Sequence, residues 1–328
     1  MTSTSDTPRI LVTGAGGFVG HHLVEYLKKQ GAWVRGVDIK KPEYSQTSAD
    51  EFLLLDLREK HNAETATAGV DRVFALAADM GGMGYISSHD AVILHDNTLI
   101  NTHTLEAARK NGVQRYLFTS SACVYPEERQ EITDLAPLKE EDAYPANPQD
   151  AYGWEKLLGE KFCQYYRQDH GLETRITRFH NIFGPQGTWD GGREKAPAAL
   201  CRKIATAKLT GNHEIEIWGD GEQTRSFCYV DDAVKGLHLL MNSDYAEPLN
   251  IGQDRMVTIN ELADSIADIA GISIIKKHIP GPQGVRGRNS DNTRLKKVLQ
   301  WEPEVSLETG LRQTYEWIES QVQKQLES

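Results

Sequence analysis

Tyr152 and Lys156 stand four residues apart in Tyr152-Gly153-Trp154-Glu155-Lys156, a spacing that puts a phenol and an ammonium on one face of a helix. A lysine that close is expected to depress the phenol's pKa through its charge, so that the phenol takes a proton from a hydroxyl while hydride leaves the same carbon. As an isolated pattern the pair is common on helices, and its meaning depends on what accompanies it. Hydride needs an acceptor, and a site for one is legible in Thr13-Gly14-Ala15-Gly16-Gly17-Phe18-Val19-Gly20. Gly14, Gly17 and Gly20 stand where a chain must turn tightly and approach a pyrophosphate, and Phe18 and Val19 open a helix whose free N–H groups would face that anion. The same glycines would also serve a purely structural turn. Asp38, roughly 20 residues on, is placed to accept hydrogen bonds from adenosine ribose hydroxyls and to repel a 2′-phosphate. That favours NAD over NADP, although Lys40 and Lys41 follow at once. Asp56 stands where an adenine-edge contact and a helix cap are equally open.

The elements that must position these groups alternate short β-rich runs with amphipathic stretches. RILVT (9–13), WVRGVD (33–38), EFLLLD (51–56), DRVFALAA (71–78), QRYLFTSS (114–121) and ETRITRF (173–179) read as strands, and 150–170 reads as a helix bearing Leu157, Leu158, Phe162 and Tyr165. That rhythm predicts an α/β fold, a doubly wound parallel Rossmann sheet with helices on both faces. From about 180 the order loosens into Gly- and Pro-rich loops, with strands near 214–218, 225–230 and 248–251 and helices near 195–207, 231–241, 258–270 and 307–325. The expected division is a Rossmann domain over 1–179, also receiving about 226–250, and a smaller mixed α/β substrate domain formed mainly by 180–328. Ligands of such folds bind in the cleft at the carboxyl ends of the strands.

Thr119-Ser120-Ser121-Ala122 ends the fifth strand, and together with the glycine turn and the Tyr152/Lys156 pair it resembles the extended short-chain dehydrogenase/reductase superfamily over essentially the whole chain. The resemblance implies an NAD-binding domain, Lys156 on the nicotinamide ribose, and Ser121 hydrogen-bonded to the reacting hydroxyl beside Tyr152. Superfamily members pair two helices per subunit in a homodimer, here the segments near 91–111 and 150–170.

Cys123 follows in SSACVYP; read alone, it is either an inert buried thiol or a reactive one. Lys195, in the loop Gly191-Gly192-Arg193-Glu194-Lys195-Ala196, reads alone as a solvated surface residue or a chance residue at a helix N-terminus. As a pair they have a use: once C4 of a hexose is a ketone, the hydrogens on C3 and C5 are acidic, and a thiolate base opposite an ammonium acid could invert those centres. A nearby positive charge would draw the thiol's pKa toward neutrality. With DMGGMGY (79–85), HNIFGPQGTWDGGREKAPAA (180–199) and GPQGVRGRNSDN (281–292), these residues resemble the GDP-mannose 3,5-epimerase family. That resemblance implies redox at C4 by Tyr152 and Lys156, epimerisation by Cys123 and Lys195, and the products GDP-L-galactose and GDP-L-gulose. It also implies substrate contacts from Gly81, Gly82, Ser121, Ala122, Cys123, Asn181, Glu194, Lys195, Ala196, Lys203, Gln223, Thr224, Arg225 and Arg288. Arg286 and Arg288 both suit a diphosphate, and the family register favours Arg288. A UDP-hexose 4-epimerase would keep Ser121, Tyr152 and Lys156 but have no use for Cys123 and Lys195. A non-catalytic NAD-sensing protein would typically lack the Tyr or Lys of the pair.

Composition narrows the partners. A chain of 328 residues, 39% apolar and 25% charged, can bury a full core, and a net charge of −11 argues against a duplex nucleic-acid partner. Cys123, Cys163, Cys201 and Cys228 lie far apart with no metal-ligand spacing, which predicts neither disulfides nor zinc and fits a reducing cytoplasm. MTSTSDTP lacks the apolar stretch of a secretion signal, and no run is long enough to span a bilayer.

Overall fold

The computed structural model describes residues 7–327. The polar start MTSTSD, part of the segment read as lacking a leader's apolar stretch, lies outside them. In the first half, β1 (Arg9–Thr13), β2 (Trp33–Asp38), β3 (Glu51–Leu54), β4 (Arg72–Ala75), β5 (Arg115–Ser121) and β6 (Glu173–Phe179) are all parallel. The helices between them are α1 (Phe18–Lys29), α2 (Lys60–Thr67), α3 (Met83–Ile86), α4 (Asp90–Lys110) and α5 (Ala151–His170). Consecutive apolar residues on β1 need cover on both faces, and they have it. Ile10 and Val12 join Leu23, Val24 and Leu27 of α1, whereas Leu11 joins Ala63 and Ala66 of α2 and Leu105 of α4. Truncating a fully buried leucine such as Leu11 to alanine costs roughly 2–5 kcal/mol.

The second half continues with β7 (Ile182–Phe183), α6 (Ala196–Thr210), β8 (Glu214–Trp218), β9 (Thr224–Ser226), β10 (Cys228–Tyr229), α7 (Val230–Asn242) and β11 (Pro248–Ile251). It ends with β12 (Met256–Thr258), α8 (Ile259–Ala270), β13 (Ile275–Ile279), β14 (Gly287–Arg288), α9 (Thr293–Leu299) and α10 (Leu307–Glu327). The run 225–230, expected as one strand, divides into β9 and β10. It gives way to a helix at Val230, where Asp231 and Asp232 favour the positive end of α7. β11 returns to the large sheet beside β6, completing the order β11-β6-β5-β4-β1-β2-β3. Beside the large sheet, α6 packs against α8 and α10, and three small sheets, β10-β7, β13-β8 and β12-β9-β14, complete the described fold. Because β1 pairs with β2 on one side and β4 on the other, the winding reverses at β1, and a crevice opens there beyond the carboxyl ends of the strands. No described helix is long and apolar enough to cross a membrane.

Candidate active site

The glycine turn after β1 is held against the end of β4 with no side chains between. Gly14 has φ 71°, and a Cβ there would lie 2.9 Å from the Ala77 nitrogen; a Cβ on Gly20 would collide with the Gly14 carbonyl. Thr13 Oγ1 accepts from the N–H groups of Leu76 and Ala77, both at 3.0 Å. Helix α1 begins at Gly17 with no side-chain cap, so the amides of Phe18, Val19 and Gly20 stand at an uncapped, electropositive helix start. Asp38 joins the end of β2 to this turn: its carboxylate accepts from the Gly16 N–H at 2.9 Å and the Lys40 N–H at 3.2 Å, while burial raises its pKa. A carboxylate has about four acceptor positions, which leaves room for ribose hydroxyls. These features fit a dinucleotide with its pyrophosphate at the α1 amides and a ribose at Asp38. Of the two roles open to Asp56, the helix cap is not the one it takes. It does not cap α2, whose N-cap is Glu59; instead it accepts the Arg58 N–H at 2.9 Å and pairs with the Arg58 guanidinium at 2.6 Å.

Asp150 starts α5 by accepting the Gly153 N–H at 2.7 Å, which sets Tyr152 and Lys156 one turn apart at the cleft. Gly153 is required for packing, since a Cβ there would collide with the Cys123 carbonyl oxygen. Ser121 caps the short turn Ala122–Val124, its Oγ accepting the Cys123 N–H at 3.1 Å, and it lies beside Tyr152, whose hydroxyl donates to Met80 Sδ at 4.0 Å. The expectation of a depressed phenol is overturned. Tyr152 is raised well above the ordinary tyrosine value, first by burial and then by the negative charge of Glu155. Lys156 Nζ lies 3.5 Å from Glu155 Oε1 and 5.3 Å from the Tyr152 ring centroid, so its charge is largely answered by the carboxylate. Glu155 is a functional residue that the motif spacing does not single out, although it is an acid on the inward face of α5. It is 1% exposed and accepts from Asn97 and Asn101 of α4, both at 3.0 Å.

Cys123 Sγ accepts from Arg288 Nη1 at 3.3 Å, while Arg288 Nε donates to Gln130 Oε1 at 2.7 Å. Arg286 turns outward to Asp220 at 2.9 Å, so Arg288 is the arginine that faces in, and its contact with the thiol was not legible in the sequence. Lys195 is the N-cap residue of α6. Desolvation in the cleft lowers its pKa, with opposing support from Cys123 and a further lowering from Arg288. Arg225 is pushed down to about 9 by burial and then by Arg288, and it donates to the Thr224 and Val285 carbonyls. A thiol and three cationic side chains therefore share one small region beside Tyr152, the arrangement a carbon acid needs: a base, an acid and fixed positive charge.

The remaining expected contacts divide. Gln223 is buried with Nε2 on the Trp218 carbonyl and Oε1 without a partner among the described residues, an acceptor available to a ligand. Asn181, at φ 45°, donates to the Ser226 carbonyl, and Ala196 is the first residue of α6. Four others have structural work. Thr224 donates to the Thr133 carbonyl, Lys203 to the Glu216 carbonyl, and Glu194 accepts from Arg202 and the Gly192 N–H. Ala122 packs with Val124, Tyr125 and Leu157, which leaves only its backbone for a ligand. Gly81 and Gly82, expected to admit a sugar, also allow close packing of the protein on their side-chain faces. A Cβ on Gly81 would lie 2.9 Å from Tyr85 Cβ, and one on Gly82 would lie 2.5 Å from the Glu194 carbonyl oxygen.

Residues 10–252 match the NAD dependent epimerase/dehydratase family, and the chain belongs to that family; its cofactor is NAD. It is 52% identical to GDP-mannose 3,5-epimerase 1 of Oryza sativa subsp. japonica over 323 residues, 98% of this chain and 84% of the relative. It is 51% identical to GDP-mannose 3,5-epimerase of Arabidopsis thaliana, covering 98% of this chain and 85% of the relative. Among solved structures, UDP-glucose 4-epimerase of Thermotoga maritima superimposes with a TM-score of 0.84 at 28% identity, covering 96% of this chain and 99% of that one.

Proposed function

We propose that this chain is an isomerase that converts GDP-mannose to GDP-L-galactose and GDP-L-gulose, with Tyr152, Lys156 and Ser121 serving C4 and with Cys123 and Lys195 inverting C5 and C3. The observation that carries this reading is the Cys123 thiol, hydrogen-bonded by Arg288 at 3.3 Å on the turn that packs against the start of the Tyr152 helix, with Lys195 at the start of α6 close enough to feel its charge, an addition that a C4-only epimerase would not use. When bound, NAD supplies a reversible hydride acceptor for C4. Ser121 and Tyr152 hold the C4 oxygen and manage its proton; a phenol kept protonated by burial suits the step that restores the hydroxyl. Beside the ketone, Cys123 takes the α-proton on one face and Lys195 delivers one on the other, and an ammonium of lowered pKa gives its proton up more readily. Arg288 lies against the thiol and presents positive charge to a diphosphate. Proton NMR in D₂O with GDP-mannose tests this: deuterium enters C5 and C3 as new GDP-hexoses form. A protein that exchanges neither carbon and turns over a UDP-hexose at C4 would replace this reading with a 4-epimerase.

A cytoplasmic homodimer completes the proposal. Four free thiols, three of them buried, suit a reducing compartment. Val92 and Leu94 on α4 and Trp154, Leu158 and Tyr165 on α5 are large apolar side chains 42–56% exposed, and they would be covered by pairing these helices across a two-fold axis. Light scattering giving a monomer mass at micromolar concentration would remove the dimer.

A further inference from the structure

Lys195 makes no side-chain hydrogen bond or ion pair with any described residue, yet its task requires a controlled approach to the face of the substrate that carries C5 and C3. Its carbonyl accepts from the Ala199 N–H at 2.9 Å at the start of α6, so its placement depends on that helix start and on the loop before it. That backbone is mobile by composition: Gly191 at φ 89° and Gly192 at φ 85° precede Arg193, and added Cβ atoms there would meet nothing. What fastens it is the loop after β4. Gly82 donates its N–H to the Arg193 carbonyl at 3.0 Å, and the missing Gly82 side chain lets the Glu194 carbonyl lie against it. The Arg193 guanidinium lies 3.7 Å over the Tyr85 ring and donates to Asp79 Oδ1 at 3.1 Å, while the Tyr85 hydroxyl donates to Asp79 Oδ2 at 2.9 Å. Asp79 is itself anchored through its backbone, accepting from Asn97 Nδ2 at 3.0 Å and donating to Asn97 Oδ1 at 2.6 Å. Asn97 continues to Glu155 and so to the turn of α5 that bears Lys156.

We propose that Asp79, Tyr85 and Arg193 are positioning residues that clamp the Lys195 loop to the loop after β4 and fix the Lys195 ammonium relative to Cys123, an assignment that takes the job of Lys195 from the epimerase reading. The three groups close a triangle in which each touches the other two, the geometry of a fastening. Arg193 is about half exposed, and partly exposed ion pairs add little to fold stability, so the clamp acts on placement more than on folding. It also ties the epimerising acid to the redox helix through Asn97 and Glu155, which makes the two half-sites one body without a direct contact between their working side chains.

The test compares Arg193→Ala and Arg193→Lys with the wild type by three measurements. In Arg193→Ala, deuterium entry at C5 and C3 of GDP-mannose falls roughly 10- to 100-fold, the scale of a small misplacement of a reacting group. Oxidation at C4, read as absorbance of the reduced cofactor on substrate addition, stays within about twofold, and Arg193→Lys, which keeps the charge beside Asp79 and Tyr85, recovers part of the lost exchange. Amide hydrogen exchange across 191–196 quickens by about fivefold or more, while the melting temperature moves by no more than about 2 °C. Deuterium entry unchanged in Arg193→Ala, or lost in proportion with C4 oxidation, overturns the clamp. A wild type that places deuterium at neither carbon defeats the epimerase reading instead, and amide exchange then decides the fastening on its own: quickened, it stands; unchanged, it falls.

Discussion

The two halves of the cleft are built to different standards of rigidity. Tyr152 and Lys156 are 6% and 3% exposed, in the first turns of a 20-residue helix capped by Asp150, and Lys156 is braced by a carboxylate that two asparagines hold. Lys195, across the cleft, ends a loop of left-handed glycines, and its side chain makes no hydrogen bond or ion pair with any described residue. The difference follows the chemistry proposed for each. Redox at C4 asks one carbon to meet one pair of groups in one geometry, which burial and preorganisation serve. Proton exchange at two carbons asks a single acid to reach two places, and a tethered but unpaired ammonium is suited to that.

The largest expected effect removes the rigid side. Tyr152→Phe keeps the ring and its packing but deletes the proton carrier, and conversion of GDP-mannose should fall by about 10³-fold or more with deuterium entry lost as well. Undiminished deuterium entry in that variant would mean that the two sides act independently. Next, Cys123→Ala should lower deuterium entry by roughly 10²-fold or more while the reduced-cofactor absorbance on substrate addition persists, separating the halves chemically. Subtler is the pH profile. Lys195 must be protonated to act as an acid, and desolvation lowers its pKa. Turnover should therefore decline as pH rises through a value below the ordinary lysine range, and Lys195→Arg, whose guanidinium keeps its proton, should lose most of the turnover at every pH instead of moving that limb. The smallest contrast is between neighbouring arginines. Arg288→Ala should raise KM about tenfold or more. Arg286→Ala, whose partner Asp220 is exposed, should leave KM unchanged and shift stability by about 1 kcal/mol or less.

The strands around the cofactor were legible because both faces of a parallel sheet are buried and leave unbroken apolar runs; RILVT and WVRGVD fall on β1 and β2 residue for residue. EFLLLD was read too long because its partner β2 ends at Asp38, opposite Leu54, so pairing stops before the apolar run does. β13 was missed because IKKHI carries lysines and a histidine on an edge strand whose pairing with β8 is a backbone matter. The working residues were readable from type and spacing. Their couplings were not, because Glu155 to Asn97 and Arg288 to Cys123 are contacts across 58 and 165 residues of sequence. The pKa of Tyr152 was misjudged for the same reason: the spacing reveals Lys156 but neither the burial nor the carboxylate that answers its charge.

Gly153 packs on the carbonyl of residue 123 and takes no account of what that residue's side chain is. The redox helix is thus docked on a feature that every amino acid shares. A lineage could exchange the side chain at 123 for another acid, base or hydroxyl and leave the seating of Tyr152 and Lys156 undisturbed. The position is a socket for new chemistry on a standing oxidation, and a route by which one scaffold could acquire different sugar reactions through single substitutions.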